Sequence, residues 1–441
     1  MDFIFSIETS IFQVSMSKFV NTTNLFTGKF ATIDVNDSYI SQTTAYDNTE
    51  RLFLVFESTT NVNNLTIQDS FMSDITNRYD RWIASYGGTM TLQGIYAKNL
   101  IGIEGNFMEM VDGEYNILNS HFENIYYNDF SESSIMFNQV VGIGLSIMNT
   151  AFINTGPIAK TSTVTKVLFS GLTVEPLQVV PFLISISKAQ DFALNNSELT
   201  PAKDISQFPT AESIIFLDHI SGTIIMDGLT LSECYTKNGA VDIHLEETVA
   251  QVSVINSKFL RNIAKGGGAG SITIRETLDS HYQFYNTIFD GNQALLDEGS
   301  GGRGGAIYLS AANLSNIKPY YLVDKCTFTN NYADLIGGAI FVINTPPDMI
   351  TNMFYNNKAG QFSNDISSHA VRIARVSKSQ VFGQNRLLSA SNYIPDTNIN
   401  PVVIMDSVPS NLPIDEDTVL ALVDMYGQVV FDDNTSNLQL I

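Results

Sequence analysis

The sequence predicts an all-β solenoid, a parallel β-helix of about 14 coils, from three observations. An aromatic or apolar anchor recurs at steps of about 20 to 39 residues, the range expected of solenoid repeats. Short β-rich segments of strand length, such as SVINSKF, GSITI and AIFVI, lie between the anchors. Asn and Gly recur at fixed distances from the anchors, where each coil must turn.

The anchors are expected to stack inside the helix, one from each coil. They are Phe19, Tyr39, Phe71, Tyr96, Phe122, Phe152, Leu172, Leu199, Cys234, Phe259, Phe289, Phe328, Phe354 and Phe382. The predicted stacked core comprises Phe122, Phe152, Phe259, Phe289, Phe328, Phe354 and Phe382. Leucine-rich repeats and β-propellers are disfavoured, because the chain lacks a recurrent LxxLxL and a strict period of about 40 to 50 residues.

Asn residues mark two corners of the predicted coil. Three residues before the anchor stand Asn36, Asn119, Asn149, Asn196, Asn256 and Asn286, for which we predict a ladder of amide hydrogen bonds between coils. Two or three residues after the anchor stand Asn21, Asn124, Asn154, Asn262, Asn292, Asn331, Asn357 and Asn385. Gly-Gly pairs before Ala-Ile predict a third turn, because glycine adopts positive φ and lets neighbouring coils approach closely.

The repeat is predicted to end near residue 390. Residues 1–390 are assigned to the rod and the proline-punctuated, acidic residues 391–418 to a linker. In residues 419–441, LALVDMYGQVV alternates as strand, glycine turn and strand, which predicts the truncated start of a β-sandwich module. This stretch is similar to the start of an immunoglobulin-like domain. Long steps between anchors predict surface loops, the longest between Phe289 and Phe328.

Two short motifs carry a family resemblance. The order Phe-x-x-Asn-x-Ala begins at Phe259, Phe289, Phe328 and Phe354, and Gly-Gly-Ala-Ile occurs at residues 304–307 and 337–340. This pattern resembles the polymorphic outer membrane protein repeat of the pectin-lyase-like β-helix superfamily, mainly over residues 230–390. The resemblance implies a right-handed parallel β-helix displayed outside a cell. It implies no reaction, since a fold does not fix a function.

Composition excludes some partners. The 23 basic and 45 acidic side chains give a formal charge of −22, which repels nucleic acid and anionic lipid. No apolar run is long enough to span a membrane, because the nearest is interrupted by Glu175, Pro176 and Pro181. The start of the chain does not look like a secretory signal, and we expect it to lie inside the solenoid of a longer precursor.

Cysteines and sequons give little functional information. Cys234 and Cys326 are predicted to lie three to four coils apart, which is about 15 Å and too far for a disulfide. The glycosylation candidates are Asn313, Asn64, Asn195, Asn434 and Asn21. Asn313 is the favoured candidate because it lies in the longest loop, whereas the sequon at Asn36 belongs to the predicted ladder and is expected to be buried.

No catalytic, cofactor-binding or metal-ligating residue is predicted. A glycan-cleaving enzyme on this fold would need paired carboxylates on one face. Such a site would have to form across coils from Asp227, Glu233, Asp242 and Glu246, beside the aromatic side chains of Tyr320, Tyr321 or Tyr332. Structural calcium is a further alternative, for which the loop at Asp297 and Glu298 is the first place to look.

The sequence therefore favours a non-enzymatic structural or adhesive rod of a large cell-surface or extracellular protein. Its expected partners are glycans, other surface proteins or copies of itself, with no nucleic acid and no membrane span. A polysaccharide lyase or glycoside hydrolase is the alternative, because enzymes of these classes share the fold.

Overall fold

A computed structural model describes residues 5–20, 26–41, 44–45, 53–63, 65–72, 80–102, 105–127, 135–175, 182–200, 211–312, 319–361, 363–377 and 418–430. In these residues three walls of parallel strands form a rod, and each strand pairs with the equivalent strand of the next coil. Among the described strands, two pairs are antiparallel, namely Gln293–Asp297 with Ser300–Gly301 and Ala370–Ser377 with Thr418–Asp424. The described residues include no helix that could span a bilayer. The predicted all-β parallel β-helix is confirmed.

The first two walls meet at a corner that four long strands turn without interruption. The first wall contains β1 (Phe5–Glu8), β4 (Phe26–Lys29), β12 (Gly105–Val111), β19 (Ile184–Ser187), β22 (Ser213–Asp218), β26 (Gly239–Leu245), β30 (Ile272–Glu276), β35 (Ile307–Ala311), β39 (Ile340–Ile343) and β43 (Ile366–Ser368). The second wall contains β2 (Ile11–Ser15), β5 (Thr32–Asn36), β13 (Gly113–Leu118), β20 (Ala189–Asn195), β23 (Thr223–Asp227), β27 (Gln251–Ile255), β31 (His281–Tyr285), β36 (Tyr320–Asp324) and β40 (Asp348–Met349). The long strands β8 (Phe53–Asn63), β10 (Asp80–Gln93), β15 (Ile135–Met148) and β17 (Ala159–Ser170) belong to both walls.

The third wall is built from shorter strands. It contains β3 (Lys18–Val20), β6 (Tyr39–Ser41), β9 (Thr66–Met72), β11 (Tyr96–Gly102), β14 (His121–Tyr127), β16 (Ala151–Ile153), β18 (Thr173–Glu175), β21 (Glu198–Leu199), β24 (Thr230–Ser232), β28 (Lys258–Leu260), β32 (Ile288–Asp290), β37 (Thr327–Thr329) and β41 (Met353–Tyr355), with β7 (Thr44–Ala45) beside β9. Short strands follow it in later coils, namely β25 (Tyr235–Thr236), β29 (Ile263–Lys265), β33 (Gln293–Asp297), β34 (Ser300–Gly301), β38 (Tyr332–Ala333) and β42 (Lys358–Ala359). The last two strands are β44 (Ala370–Ser377) and β45 (Thr418–Asp424).

Alternating side chains fill the rod. In β27, Val252 and Val254 are buried inside while Gln251 is exposed, and in β31 the residues in register with the two valines are Tyr282 and Phe284. The strand period of two gives each wall one inward and one outward row of side chains. The core is therefore a continuous column of apolar side chains along the axis.

Single residues with positive φ turn the chain at the corners. At the end of the second wall, Asn119 and Asn256 have φ values of 48° and 50°, a conformation that Asn tolerates better than most residues. The predicted glycine turn is present at Gly304 and Gly337, with φ values of 66° and 65°. Between such corners the strands of successive coils pair in parallel, with a register shift between Gly113 and Glu114.

The number of stacked strands is slightly lower than predicted. Within the described residues thirteen strands follow one another along the third wall, from β3 to β41, against about 14 coils expected from the anchors. The last predicted anchor, Phe382, lies outside the described residues.

Five of the predicted anchors do not occupy the inward anchor position of the third wall. The inward row of the third wall consists of Phe19, Ile40, Ile67, Ala97, Phe122, Phe152, Val174, Leu199, Leu231, Phe259, Phe289, Phe328 and Phe354. Tyr39 and Tyr96 belong to the outward row, and Leu172 and Cys234 are corner residues. A shift of one residue moves a side chain to the opposite face of a strand. In the coil of Phe71, likewise, Ile67 takes the anchor position.

An antiparallel strand pair covers the end of the described rod. β44 pairs with β45 in antiparallel fashion, and Gly427 turns the chain so that Val429 bridges Val423. Residues 418–430 thus lie against the last coil. Nearly all of the predicted linker and residues 431–441 lie outside the described residues, and the boundaries of a separate module stay predictions.

Candidate functional surfaces and the ladders that position them

The predicted phenylalanine core forms two stacks. The rings of Phe122 and Phe152 are 5.3 Å apart and nearly parallel. The second stack joins Phe259, Phe289, Phe328 and Phe354, with ring separations of 5.2, 4.9 and 4.8 Å. Between the stacks the row continues with aliphatic side chains. Parallel stacking at this distance follows from the spacing of neighbouring strands, about 4.8 Å.

The predicted outer Asn ladder is exposed and interrupted. Asn149 donates its amide to Asn119 Oδ1 at 3.2 Å, and Asn286 donates to Asn256 Oδ1 at 2.8 Å. Asn196 has the same corner conformation, but the neighbouring corners are Gly171 and Gly228, which have no amide.

Asn36 is one residue out of place in the predicted ladder. It lies in β5, and Asp37 occupies the corner with a φ of 49°. Asn36 accepts a hydrogen bond from Asn63 at 2.8 Å and is half-buried, not buried as predicted. The Asn of this sequon is therefore part of a separate, shorter ladder one position before the corner.

Sequence reasoning missed a buried hydroxyl row next to the outer ladder. Ser120 donates to the Leu118 carbonyl at 2.8 Å and accepts the Ile95 N–H of the preceding coil at 3.1 Å. Equivalent bonds are made by Ser197 and Ser257. The signal was present in the sequence as Asn-Ser or Asn-Thr pairs at 119–120, 149–150, 196–197, 256–257 and 286–287.

The Asn of the Phe-x-x-Asn-x-Ala motif forms a second, fully buried ladder. Asn262 donates to Asn292 Oδ1 at 3.1 Å, Asn292 to Asn331 at 3.0 Å, and Asn331 to Asn357 at 3.0 Å. Each amide also donates to the carbonyl of a residue in the inward row, as Asn292 does to Phe259 at 2.9 Å. We call these four residues the inner Asn ladder. It closes the side of the rod where the third wall ends.

The other members of the predicted second set occupy different positions. Asn124 and Asn154 are themselves corner residues with φ values of 54° and 55°, and Asn154 donates to Asn124 at 2.8 Å. Asn21 and Asn385 lie outside the described residues. The corner residue before the inner ladder is Arg261, Gly291, Asn330 or Asn356.

Only one predicted glycosylation site lies within the described residues. Asn195 is half-buried at the end of β20, and its Oδ1 atom is buried. The hydroxyl of Ser197, the third residue of the sequon, is engaged in the buried row. Asn21, Asn64, Asn313 and Asn434 lie outside the described residues. Glycosylation at these positions stays a prediction.

The four acids considered for glycan cleavage are not brought together. Asp227 accepts a bond from Asn256 at the end of the second wall, and Glu233 binds Arg261 at the end of the third. Asp242 lies on the first wall, where Arg275 donates to both of its carboxylate oxygens at 2.9 and 3.0 Å. Glu246 is exposed beyond the end of β26. The four acids thus lie at different places on the walls and corners of the rod.

The three tyrosines proposed as sugar platforms differ in exposure. Tyr320 is exposed on the second wall, and Tyr332 is half-buried. Tyr321 points inward, where its ring stacks on Tyr282 at 4.9 Å. The inward tyrosine cannot contact a sugar at the surface.

Cation ligands are not clustered in the described part of the chain. There, no group of three or more His, Cys, Asp or Glu side chains has a metal-binding arrangement. Asp297, named for calcium, lies 3.4 Å from the Lys265 ammonium. Cys234 and Cys326 are free and buried at different corners, and burial raises the pKa of both thiols, that of Cys326 to about 11.

A buried carboxyl group lies inside the rod at the end of β30. Glu276 is 3% exposed and accepts hydrogen bonds from the Leu278 N–H, at 2.7 Å, and from the Tyr282 hydroxyl. Burial raises the pKa of the Glu276 carboxyl above its ordinary value of 4.5, although the bonds it accepts oppose this shift.

Replacing Glu276 with Gln should change the pH dependence of stability. A raised pKa in the folded state means that the stability of this group is complete below about pH 4.5 and is lost as the pH rises through the folded pKa. Gln cannot ionise, so the variant should gain stability relative to wild type between pH 4.5 and pH 8. Urea unfolding at several pH values would measure this. Glu246→Gln, at an exposed position, is the control, and parallel pH profiles for wild type and E276Q would contradict the prediction.

The strand pair at the end of the rod is held by one buried carboxylate. Asp424 Oδ1 accepts the N–H groups of Tyr426 and Gln428 at 3.0 and 2.9 Å. Its Oδ2 accepts the Ser368 N–H, the Ser367 hydroxyl and the Gln428 amide at 3.2, 3.3 and 3.0 Å. Burial raises the pKa of Asp424 to about 6, so the group is ionised at pH 7.5.

Asp424→Asn should release residues 418–430 from the last coil. Whichever way the new amide is oriented, its NH₂ group would face at least two of the donors that now bond to Asp424. We expect a loss of about 3 kcal/mol in docking, from the desolvation cost of unpaired buried donors. Limited proteolysis at pH 7.5 should cut the variant faster between residues 418 and 430. Equal cleavage rates for wild type and variant would count against this role, and Asp348→Asn is a control at the exposed start of β40.

A shallow groove of about 550 Å³ lies at the corner between the first and second walls. We call it the corner groove, and its lining includes Lys29, Phe30, Glu57, Tyr86, Gly87 and Asp112. These residues come from four successive coils, at β4, β8, β10 and β12. Sequence reasoning missed the groove, because its residues are about 30 positions apart and belong to coils without the Phe-x-x-Asn-x-Ala motif.

Comparison with known proteins matches the coils that contain the inner Asn ladder. A family model described as the Chlamydia polymorphic membrane protein repeat matches residues 286–310 and 325–343. No curated protein and no solved structure gives a significant match. The matched segments include the Phe289 and Phe328 stack and both Gly-Gly-Ala-Ile turns. The chain therefore carries repeats of the polymorphic membrane protein type, built into a parallel β-helix.

Proposed function

We propose that this chain is a structural and adhesive rod of a cell-surface or extracellular protein. The observation that carries the proposal is the match of the polymorphic membrane protein repeat to coils 286–310 and 325–343, since that repeat is named after a membrane protein. Consistent with this role, the two stacks of Phe rings and the inner Asn ladder use the motif residues for contacts between coils. In this proposal the motif residues hold the coils together, and the outward side chains of the rod contact the partner.

The partners that suit such a rod are glycans, other surface proteins or copies of itself. Its outward side chains are varied and include exposed apolar residues such as Ile143, Met353 and Tyr355, and its formal charge of −22 disfavours polyanions. The regular coils give a stiff support, on which exposed corners and loops face a partner.

Surface display is tested on intact cells of the source organism. Protease added outside the cells should remove the rod, detected with an antibody against residues 211–312, while a cytoplasmic marker stays intact. Beads coated with the full chain should bind to cells or matrix more than beads coated with an unrelated acidic protein. Complete protection of the chain in intact cells would overturn the proposal.

We also propose that the rod has no catalytic activity and needs no cofactor. The four acids named as a catalytic alternative face cations, amides or solvent on separate walls and corners, which supports this part of the proposal. EDTA should leave the thermal unfolding midpoint unchanged, because coil stacking here uses side-chain and backbone contacts. A midpoint lowered by EDTA and restored by calcium would contradict it, and release of reducing ends from a polysaccharide would favour the enzyme alternative.

A further inference from the structure

The corner groove combines features that the architecture of the rod does not require. Phe30 is 53% exposed and has a φ of 49°, a conformation that is costly for a bulky side chain. At the same corner two coils later, Gly87 and Gly88 adopt positive φ without that cost. Phe30 thus contributes little apolar burial and adds backbone strain. A ligand that covers its ring would give the residue a role.

Neighbouring coils already use the backbone hydrogen bonds around the groove. The Thr59 N–H donates to the Ala31 carbonyl at 2.9 Å, and the Asp112 N–H donates to the Val141 carbonyl at 2.7 Å. An extended peptide therefore finds no open strand edge at which to add as a further strand. Recognition in the groove must come from side chains.

The side chains of the groove suit a sugar. Phe30 and Tyr86 supply aromatic rings for contact with the C–H surfaces of a pyranose, and the carboxylates of Glu57 and Asp112 can accept hydrogen bonds from hydroxyl groups. The floor at Gly87 and Gly88 has no side chains that would block a broad ring. A few polar groups beside aromatic surfaces are typical of small-ligand sites.

Charge selects among sugars. Two carboxylates, Glu57 and Asp112, outnumber the single ammonium group of Lys29, which lies 5.6 Å above the Phe30 ring. The chain as a whole, these groups included, carries a formal charge of −22. Uronic and sialic acids would be repelled, whereas an uncharged oligosaccharide would not. Four coils span about 15 Å from first to last, which is the length of about three to four sugar units.

We propose that the corner groove binds an uncharged oligosaccharide of about three to four units across Phe30 and Tyr86. This inference rests on the proposed adhesive function and names its ligand class. Side chains from successive coils contact successive sugar units, because the coils and the sugar chain both repeat at about 5 Å. The groove is open to solvent, so we expect a dissociation constant of about 0.1 to 1 mM.

The test uses the full chain and four tetrasaccharide probes. Three are uncharged (chitotetraose, cellotetraose and mannotetraose), and tetragalacturonate is anionic. Titration calorimetry or ligand-observed NMR should detect binding of at least one uncharged probe and none of tetragalacturonate. Phe30→Asn should weaken binding at least about tenfold, because it removes the ring. Asn also favours positive φ, so the corner should stay folded.

Two further variants separate the groove from the rest of the rod. Asp112→Asn preserves the corner, where φ is 54°, and should weaken binding through loss of a charged acceptor. Met16→Asn is the matched control, since Met16 is 84% exposed with a φ of 47° at a different corner. It should change affinity by less than about twofold.

Two results would overturn the inference. One is no binding of any uncharged probe at 10 times the upper expected dissociation constant, about 10 mM. The other is binding that Phe30→Asn leaves unchanged. If the rod still coats cell surfaces and promotes bead attachment in either case, the adhesive function stands and its contact lies elsewhere. If the chain were fully protected from protease in intact cells but still bound an oligosaccharide in the groove, the proposed surface function would be wrong and the inferred binding site would stand.

Discussion

Replacing Asn292 with Ala should lower the free energy of unfolding of the rod by about 4 kcal/mol. The Asn292 side chain is fully buried, and its Oδ1 atom accepts both the Asn262 N–H and the Asn262 amide, at 3.0 and 3.1 Å. Its amide donates to the carbonyl of Phe259 and to Asn331. Ala satisfies none of these groups and leaves the buried Asn262 N–H without a partner, which would cost about 1 to 3 kcal/mol. The side-chain bonds to Asn262, Phe259 and Asn331 are lost as well, and they add to this cost.

Urea unfolding followed by circular dichroism would measure the effect. Asn286→Gly is the matched control in the outer ladder, because glycine keeps the positive φ of 49° and only an exposed amide bond to Asn256 is lost. We expect the control to change stability by less than about 1 kcal/mol. If the two variants were equally stable, the inner ladder would not be the main polar support of these coils.

The effect should spread along the rod. In a solenoid each coil contacts its neighbours, so a weakened interface lowers the stability of the coils on both sides. Hydrogen exchange should therefore accelerate in β28, β32 and β37 of the Asn292→Ala variant, and far less in β13. Acceleration confined to Asn292 itself would indicate that each coil is stable on its own.

The sequence predicted the architecture because the coils repeat their corners. Phe289 and Phe328 stand at the same distance from the Asn of their motif, so both the stack and the inner ladder follow from one pattern. The pattern is weaker in coils whose inward residue is aliphatic, because an aromatic residue beside it then looks like the anchor. Tyr39 and Tyr96 are predicted as anchors for this reason, yet the residues that follow them, Ile40 and Ala97, point inward.

The candidate site was beyond the reach of the sequence for a physical reason. The corner groove depends on which outward residues of four coils lie side by side, and this requires the length of every coil to be known. Phe30 and Asp112 directly follow β4 and β12, whereas Glu57 and Tyr86 lie within β8 and β10, and these four strands share no motif. A positive φ at Phe30 is also unexpected from its residue type, because bulky residues rarely adopt it.

Buried acids were likewise not predicted. Glu276 and Asp424 are the last residues of β30 and β45, where a charged residue would usually face solvent. Their burial depends on partners that are distant in sequence, as Ser367 and Ser368 are from Asp424. Hydroxyl and N–H donors that surround each carboxylate make this burial tolerable.

Replacing Gly305 with Ala should destabilise the rod as strongly as loss of the inner ladder. A Cβ atom at Gly305 would lie 2.1 Å from the Gly338 carbonyl oxygen and 2.7 Å from the backbone of Tyr332. These are backbone atoms of the next coil, so no side chain can move aside. The two coils would have to separate, which breaks the Gly305 N–H bond to the Gly337 carbonyl, now 3.1 Å long.

We expect a loss of more than about 3 kcal/mol for Gly305→Ala, from overpacking and the broken bond together. Gly299→Ala is the control, because no atom lies within 4 Å of the Cβ position there and only the φ of 87° opposes the change. It should cost about 1 kcal/mol. Urea midpoints measure both, and low recovery of folded Gly305→Ala protein beside normal recovery of the control would have the same meaning. A Gly305→Ala midpoint equal to that of the control would show that the coils can separate at this corner. The close approach of the coils would then not explain why glycine occurs at this position of Gly-Gly-Ala-Ile.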